Sequence, residues 1–347
     1  MDRLHPTRAR NAEAEADTAG RTAAPGPAPD PSGLLIPPLS LPFSARPHPA
    51  AQEICEETLQ WTRQSGLVQP GEQERCLTDS RIGLSFPSVV PHGDADAVLL
   101  GSCINIWVTL ADDQIMEKHG RPGGALARAM GRLVQFESIS RAVTSDATAP
   151  GLPRALAGLS QRLQRIAAPD QVLRAQRHLL QYFMGLSTEA AYTHSNTTPT
   201  IADYTRVRQL TTCMPLFFTL AEVARGVHIP ARTLMQPEAQ KLTALGSYLI
   251  GAMNDIIGLR RDLQRGDTWV HARLLVQHHN CTYQEAADLL AAEFRRQVDE
   301  FTTIADACCT TDPQYGSAYA DIVRDVVAGY MHWAQLSPRY TLDAQHQ

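Results

Sequence analysis

The chain has 347 residues, a formal net charge of −5 and a pI near 6.2, and 44% of it is hydrophobic. That balance supplies a sizeable core and excludes the basic face that a nucleic-acid binder needs. Seven cysteines, an odd count with no CxxC pair, argue against a disulfide framework and fit a reducing, cytoplasmic setting.

Residues 1–33 hold almost nothing to bury, so a disordered Pro/Ala-rich extension is expected ahead of a single domain at 34–347. No apolar run follows the basic start, as a targeting segment would require. A Pro-punctuated stretch, LLIPPLSLPFSARPHP, comes next, and each Pro pushes the residue before it away from helix. From Ala50 onward the periodicity is helical nearly throughout, with no hairpin or alternating-strand signal, and the chain reads as one all-α domain.

Within AVLLGSCINIWVTLADDQIMEKHG, residues 97–111 carry no charge and fall short of a membrane span. The helix then places Asp112, Asp113 and Glu117 together. Thr200 and Asp203 read as a capping box that opens a helix through YTRVRQLTT. A further helix is predicted over 238–265, with Pro237 suited to its first position and Gly266 to its C′ position. Its core stripe includes Leu242, Leu245, Leu249, Met253 and Ile256. The opposite side carries Thr243, Ser247, Gly251, Asn254 and Gly258 instead of charge, so this helix is buried all round. Small residues on that second face suit either a cavity wall or close helix packing. Thr282 and Glu285 open another helix, expected to run to about Asp306.

In NDIIGLRRD, residues 254, 258 and 262 fall at i, i+4 and i+8, on one face of a regular helix. Two buried helices that both emerge into oxygen ligands suggest one apolar cavity with an acidic rim. Carboxylates gathered without balancing cations repel unless protons or metal relieve them. Oxygen ligands without Cys or His point to Mg²⁺, or Mn²⁺. His278 and His279 are adjacent and point apart on a helix, and Cys308 and Cys309 are too close for ordinary disulfide geometry.

These residues resemble the class I terpene synthases (terpene cyclases) of the bacterial type. DDQIME is similar to the family's acidic first motif, with Asp112, Asp113 and Glu117. NDIIGLRRD is similar to its Asn/Ser/Glu metal triad, with Gly258 in place of Ser and Asp262 in place of Glu. Arg261 occupies the place of a diphosphate-contacting basic residue. Arg208, or Arg206 beside it, occupies that of the upstream diphosphate sensor, ahead of a helix break at TTCM that lacks the usual Gly. Arg339 and Tyr340 resemble the family's C-terminal Arg-Tyr pair. The resemblance spans about residues 37–342 and implies a class I terpenoid synthase-like helical bundle around a central apolar cavity.

It further implies three Mg²⁺ ions held with the substrate diphosphate by Asp112, Asp113, Glu117, Asn254, Gly258 (through water) and Asp262. Arg208, Arg261, Arg339 and Tyr340 would bind the diphosphate. The implied substrate is a prenyl diphosphate, farnesyl diphosphate first, with geranyl, methylated geranyl and geranylgeranyl diphosphates as alternatives. Ionisation would leave a carbocation that cyclises to a terpene hydrocarbon or alcohol. Phe86, Trp107, Phe183, Phe217 and Trp333 are candidate cation-facing aromatics or plain core, and Thr109, Thr211, Thr212 and Gly251 complete the expected pocket. A monomer or homodimer is expected. The competing readings are a trans-prenyltransferase, which would carry a second Asp-rich motif, and a non-catalytic binder of apolar ligands whose triad has decayed.

Overall fold

The computed structural model describes residues 31–68, 71–116, 125–141, 150–195 and 197–341. The expected extension therefore lies, up to residue 30, outside the described residues, as does Glu117. Among the described residues the secondary structure is helical, with no strand.

A single 3₁₀ turn, Pro31–Gly33, leads through an extended strap into α1 (Ala51–Gln64) and α2 (Glu72–Asp79). After a second 3₁₀ turn come α3 (Ser85–Val89), α4 (Ala95–Met116), α5 (Ala125–Ser140), α6 (Leu152–Ile166) and α7 (Pro169–Ser195). Then follow α8 (Ile201–Thr211), α9 (Met214–Ala224), the single turn α10 (Ala231–Leu234), α11 (Pro237–Ile257) and α12 (Leu259–Arg265). The chain closes with α13 (His271–His279), α14 (Tyr283–Thr311), α15 (Tyr315–Leu336) and α16 (Pro338–Thr341). Helices α11, α14 and α15 pack on one another, and α4 packs against α1, α3, α6 and α9. One continuous apolar core runs through the bundle. Residues Ala95–Asp112 of α4 make an 18-residue window apolar enough for a membrane span, once the flanking acids are included, yet this helix lies at the centre of the packing.

The predicted caps are present. Thr200 accepts a hydrogen bond from the Asp203 amide at 3.1 Å, and Thr282 and Glu285 cap each other's backbone reciprocally. Two boundaries differ. Helix α14 continues past Asp306 to Thr311, and the helix predicted over 238–265 is two helices that meet at Gly258 with a bend of 62°. Backbone bonding carries on across the joint, from Gly258 N to Asn254 O at 2.9 Å and from Asp262 N to Gly258 O at 3.0 Å. A glycine in the ladder is a recognised site for such a kink. Gly266, at φ 74°, ends the second piece in the left-handed conformation expected of it.

The strap binds the short helix beyond that kink. The Leu34 carbonyl accepts from Arg260 Nε at 2.7 Å and from its Nη2, while Leu35 exchanges two hydrogen bonds with the Gln284 side chain at 2.9 and 3.0 Å. The Leu34 side chain is buried, and Phe43 packs on Phe301 with ring centroids 5.7 Å apart. Deleting residues 1–33 should therefore lower the melting temperature less than deleting 1–36, which should remove about 2–4 kcal/mol through lost Leu34 burial and the lost carbonyl that Arg260 binds. Equal melting temperatures for the two truncations would show that the strap does not brace α12.

Candidate active site

Each wall of the central cavity is supplied by a face that the local sequence dictates. On α4, Asn105, Val108, Thr109 and Asp112 recur at helical spacing and form one stripe. Opposite stand Ile250 and Asn254 from α11, and Val326, Tyr330 and Trp333 from α15. Helix α3 adds Ser85, Phe86 and Val89, and α9 adds Met214 and Phe217. Arg208, Thr211 and Thr212 enter from the joint between α8 and α9, and Tyr340 from α16. The cavity, open at its mouth, has a volume of about 200 Å³. Polar groups gather where Asp112, Arg208, Asn254 and Tyr340 meet, and the remainder is largely apolar.

The α8–α9 joint turns on Cys213, which takes φ 57° without being glycine. An L-residue in this conformation costs roughly 1–2 kcal/mol, and here the cost is borne at the cavity wall.

Arg208 holds the mouth together. Its Nε donates to Asp255 Oδ1 at 2.9 Å and its Nη2 to Asn254 Oδ1 at 2.7 Å, and Nη2 lies 2.7 Å from Asp255 Oδ1 in the ion pair. The buried Asp255 carboxylate further accepts from the Tyr204 hydroxyl at 3.0 Å. Burial opposes the guanidinium charge, but Asp255, Tyr204 and Glu189 together outweigh it and hold the Arg208 pKa above its ordinary value. Asn254 Nδ2 donates to the hydroxyls of Tyr330 and Tyr340 at 3.0 and 2.8 Å. Arg206, the competing sensor, is exposed on the other side of α8 and pairs with Asp203 at 3.0 Å.

Beyond the kink, Arg261 Nε and Nη2 donate to Asp262 Oδ1 at 2.9 and 2.6 Å, and the guanidinium lies 5.4 Å from the Tyr340 ring centroid. This pair folds back over Gly258. A Cβ at 258 would lie 3.3 Å from both Arg261 Nη2 and Asp262 Oδ2, and 2.7 Å from the Asn254 carbonyl oxygen.

Among the described residues no three His, Cys, Asp or Glu side chains gather into a metal cluster. The backbone of Asp113 belongs to α4, but its side chain and that of Arg339 lie outside the described residues, with Glu117. The groups present suit an oxygen-coordinated cation with an anionic partner. Asp112, Asn254 and Asp262 offer oxygens, and Arg261 Nη1 is buried without a partner.

Three expected pocket residues lie elsewhere. Trp107 turns to the far side of α4, where its Nε1 donates to the Leu152 carbonyl at 2.9 Å and its ring packs on Phe136 and Phe183. Phe183 belongs to that same cluster, since α7 presents Tyr182 to the cavity and its next residue points about 100° away. Gly251 lies at the contact of α11 with α8, where a Cβ would meet Thr212 Cγ2 at 3.1 Å and Arg208 Cγ at 3.4 Å. Close packing is thus what this small residue provides.

The sequence reading missed Asp255, Tyr330 and Glu189. Asp255 could have been found as the carboxylate next to Asn254 in a helix that carries no other charge after Lys241. Glu189 on α7 has its pKa pushed up to about 8 by burial, with the Asp112 charge adding and Arg208 opposing.

The family described as Terpene synthase family 2, C-terminal metal binding, matches residues 103–300. The chain is 25% identical over 307 residues to a (+)-T-muurolol synthase, (2E,6E)-farnesyl diphosphate cyclizing, of Roseiflexus castenholzii, spanning 88% of this chain and 92% of that one. A 4-epi-cubebol synthase, also (2E,6E)-farnesyl diphosphate cyclizing, of Streptosporangium roseum is 24% identical, with 89% and 91% covered. The structure of hedycaryol synthase in complex with HEPES superposes with a TM-score of 0.76 at 21% identity, covering 87% of this chain and 99% of the other.

Two outcomes are expected. Arg208→Gln should cost roughly 3–5 kcal/mol in urea unfolding by stranding Asp255, while Arg206→Gln should cost under about 0.5. Similar losses for both would remove Arg208 from its central place. Glu189 in the metal-free protein binds more protons folded than unfolded from its ordinary 4.5 up to about 8, so stability falls as pH rises through that window. Thermal scans across it should show the wild type losing stability relative to Glu189→Gln, and parallel curves would contradict the assignment.

Proposed function

The chain belongs to the class I, bacterial-type terpene synthases, and we propose that within this family it cyclises farnesyl diphosphate. It is a terpene cyclase, a lyase that acts on prenyl diphosphates and depends on divalent metal. The finer reading is a Mg²⁺-dependent reaction giving a fifteen-carbon hydrocarbon or alcohol with release of diphosphate. The observation that carries it is the cavity, about 200 Å³ and apolar below a polar mouth. A largely apolar pocket with a few convergent polar groups at its mouth is the form expected of a site that takes an apolar chain by its charged end. Two farnesyl-cyclising relatives support farnesyl as that chain.

Asp112, Asn254 and Asp262 would hold the metal, with Asp113 and Glu117 extending the first motif. Gly258 would take part through water, in space that Arg261 and Asp262 vacate when they separate. Bound Mg²⁺, three ions by family resemblance, would supply Lewis acidity to the leaving diphosphate. Arg208 and Arg261 would bind the diphosphate with paired donors, joined by Arg339 and the Tyr340 hydroxyl. The guanidinium of Arg261 has a buried donor to spare for this task. Thr211 and Thr212 place small side chains on the wall behind Arg208, where the carbon chain must leave the diphosphate.

Once the cation forms, the walls keep water from it, and the faces of Phe86, Phe217 and Trp333 offer electron density along its path. Trp333 is fixed by its Nε1 hydrogen bond to the Arg81 carbonyl at 2.9 Å and by edge contact with Tyr340. We also propose that residues 34–347 form the one catalytic domain and residues 1–33 an extension outside it.

Incubation with geranyl, farnesyl and geranylgeranyl diphosphates and Mg²⁺, followed by identification of volatiles, tests this reading. Farnesyl diphosphate should give a cyclic fifteen-carbon product, and Asp112→Asn and Asn254→Ala should each lower kcat/KM by at least about 10²-fold without unfolding the protein. A lengthened diphosphate as product would favour a prenyltransferase, and no turnover of any of the three would favour the apolar-ligand binder.

A further inference from the structure

The cavity-facing stripe of α4 continues one turn beyond Asn105 to Gly101. A Cβ at that position would overlap the ring of Phe86 and approach its Cδ1 and Cζ to 2.5 Å. The Phe86 ring thus occupies the space a side chain at 101 would fill. Phe86 is 2% exposed, lines the cavity, and is backed by Phe217 with ring centroids 6.1 Å apart at 50°. Gly101 lies inside a regular helix at negative φ, where glycine costs roughly 0.5–1 kcal/mol relative to alanine. The helix gains nothing from that residue, whereas the ring gains its seat.

Asp112, at the mouth, and Gly101 stand eleven residues apart on α4, about 16 Å along the axis. A chain anchored by its diphosphate at the mouth and running down this stripe meets the Phe86 ring at the far end. We propose that Phe86, seated on Gly101, is the floor of the cavity and sets the length of prenyl chain the enzyme accepts. This rests on the reading of the cavity as a prenyl diphosphate site. The two residues act in opposite directions. A smaller side chain at 86 opens space below the floor, while a methyl group at 101 lifts the ring into the cavity, because the helix backbone beneath it is fixed by its own hydrogen bonds and by packing against α1, α3 and α9.

The test is kcat/KM for geranyl, farnesyl and geranylgeranyl diphosphates with the full-length protein, its Phe86→Leu, Phe86→Ala and Gly101→Ala variants, and the Gly101→Ala/Phe86→Leu double variant. A change of this size in an apolar pocket is worth on the order of 10–200-fold in discrimination. Both Phe86 variants should raise the geranylgeranyl-to-farnesyl ratio at least about tenfold, and Gly101→Ala should raise the geranyl-to-farnesyl ratio by a similar factor. The double variant should return towards the wild-type ratios. Turnover with unchanged ratios in the Phe86 variants overturns the floor alone, and these carry the test if Gly101→Ala does not fold. A wild type inert on all three substrates overturns the functional reading, and the floor with it.

Discussion

The ion pair between Arg208 and Asp255 is the interaction on which the mouth of the cavity depends. It joins α8 to α11 across a contact that Gly251 keeps close, and its carboxylate is buried enough that losing the guanidinium would strand a charge. Because Asp255 follows Asn254 directly, fixing one orients the other. The Asn254 amide is then held from both ends, its oxygen by Arg208 and its nitrogen by Tyr330 and Tyr340. One ion pair thereby ties four helices, α8, α11, α15 and α16, to a single amide.

The same geometry leaves both oxygen-bearing side chains of the second motif engaged by arginine. Asn254 Oδ1 accepts from Arg208, and Asp262 Oδ1 accepts from Arg261. Each arginine is also, in the proposed function, a donor to diphosphate. A dianionic oxygen fork competes well for a guanidinium, so substrate that draws these arginines away would uncover the oxygens that metal needs. Glu189 lies within the field of the same charges: burial is the main cause that pushes its carboxyl up to about 8, with Asp112 adding and Arg208 opposing.

Much of this was legible in the sequence because it follows from periodicity and local chemistry. The uncharged run of α4 that ends at Asp112 and the caps at Thr200 and Thr282 depend on residues close along the chain, whereas Arg208 came from the resemblance to the family, with Arg206 left as the alternative. What could not be read depends on which way helices turn once packed. Trp107 and Phe183 are aromatic and buried as expected, but their rings face the α4–α5–α6 side, and only rotation about α4 and α7 decides that. Gly258 read as a missing ligand on a continuous face. The 62° kink there moves Asp262 off that face, and the absent side chain is where Arg261 and Asp262 fold back. Glu189 and Tyr330 come from helices far from either motif and carry no local signal.

The most direct measurement is a crystal structure of the protein grown with Mg²⁺ and inorganic diphosphate. The account predicts metal between Asp112 on one side and Asn254 and Asp262 on the other, with Arg208 and Arg261 turned from those oxygens onto the diphosphate and Asp255 still holding Tyr204. Metal and diphosphate bound away from Asn254, or an Arg208 that keeps its grip on the Asn254 oxygen with the diphosphate in place, would contradict it.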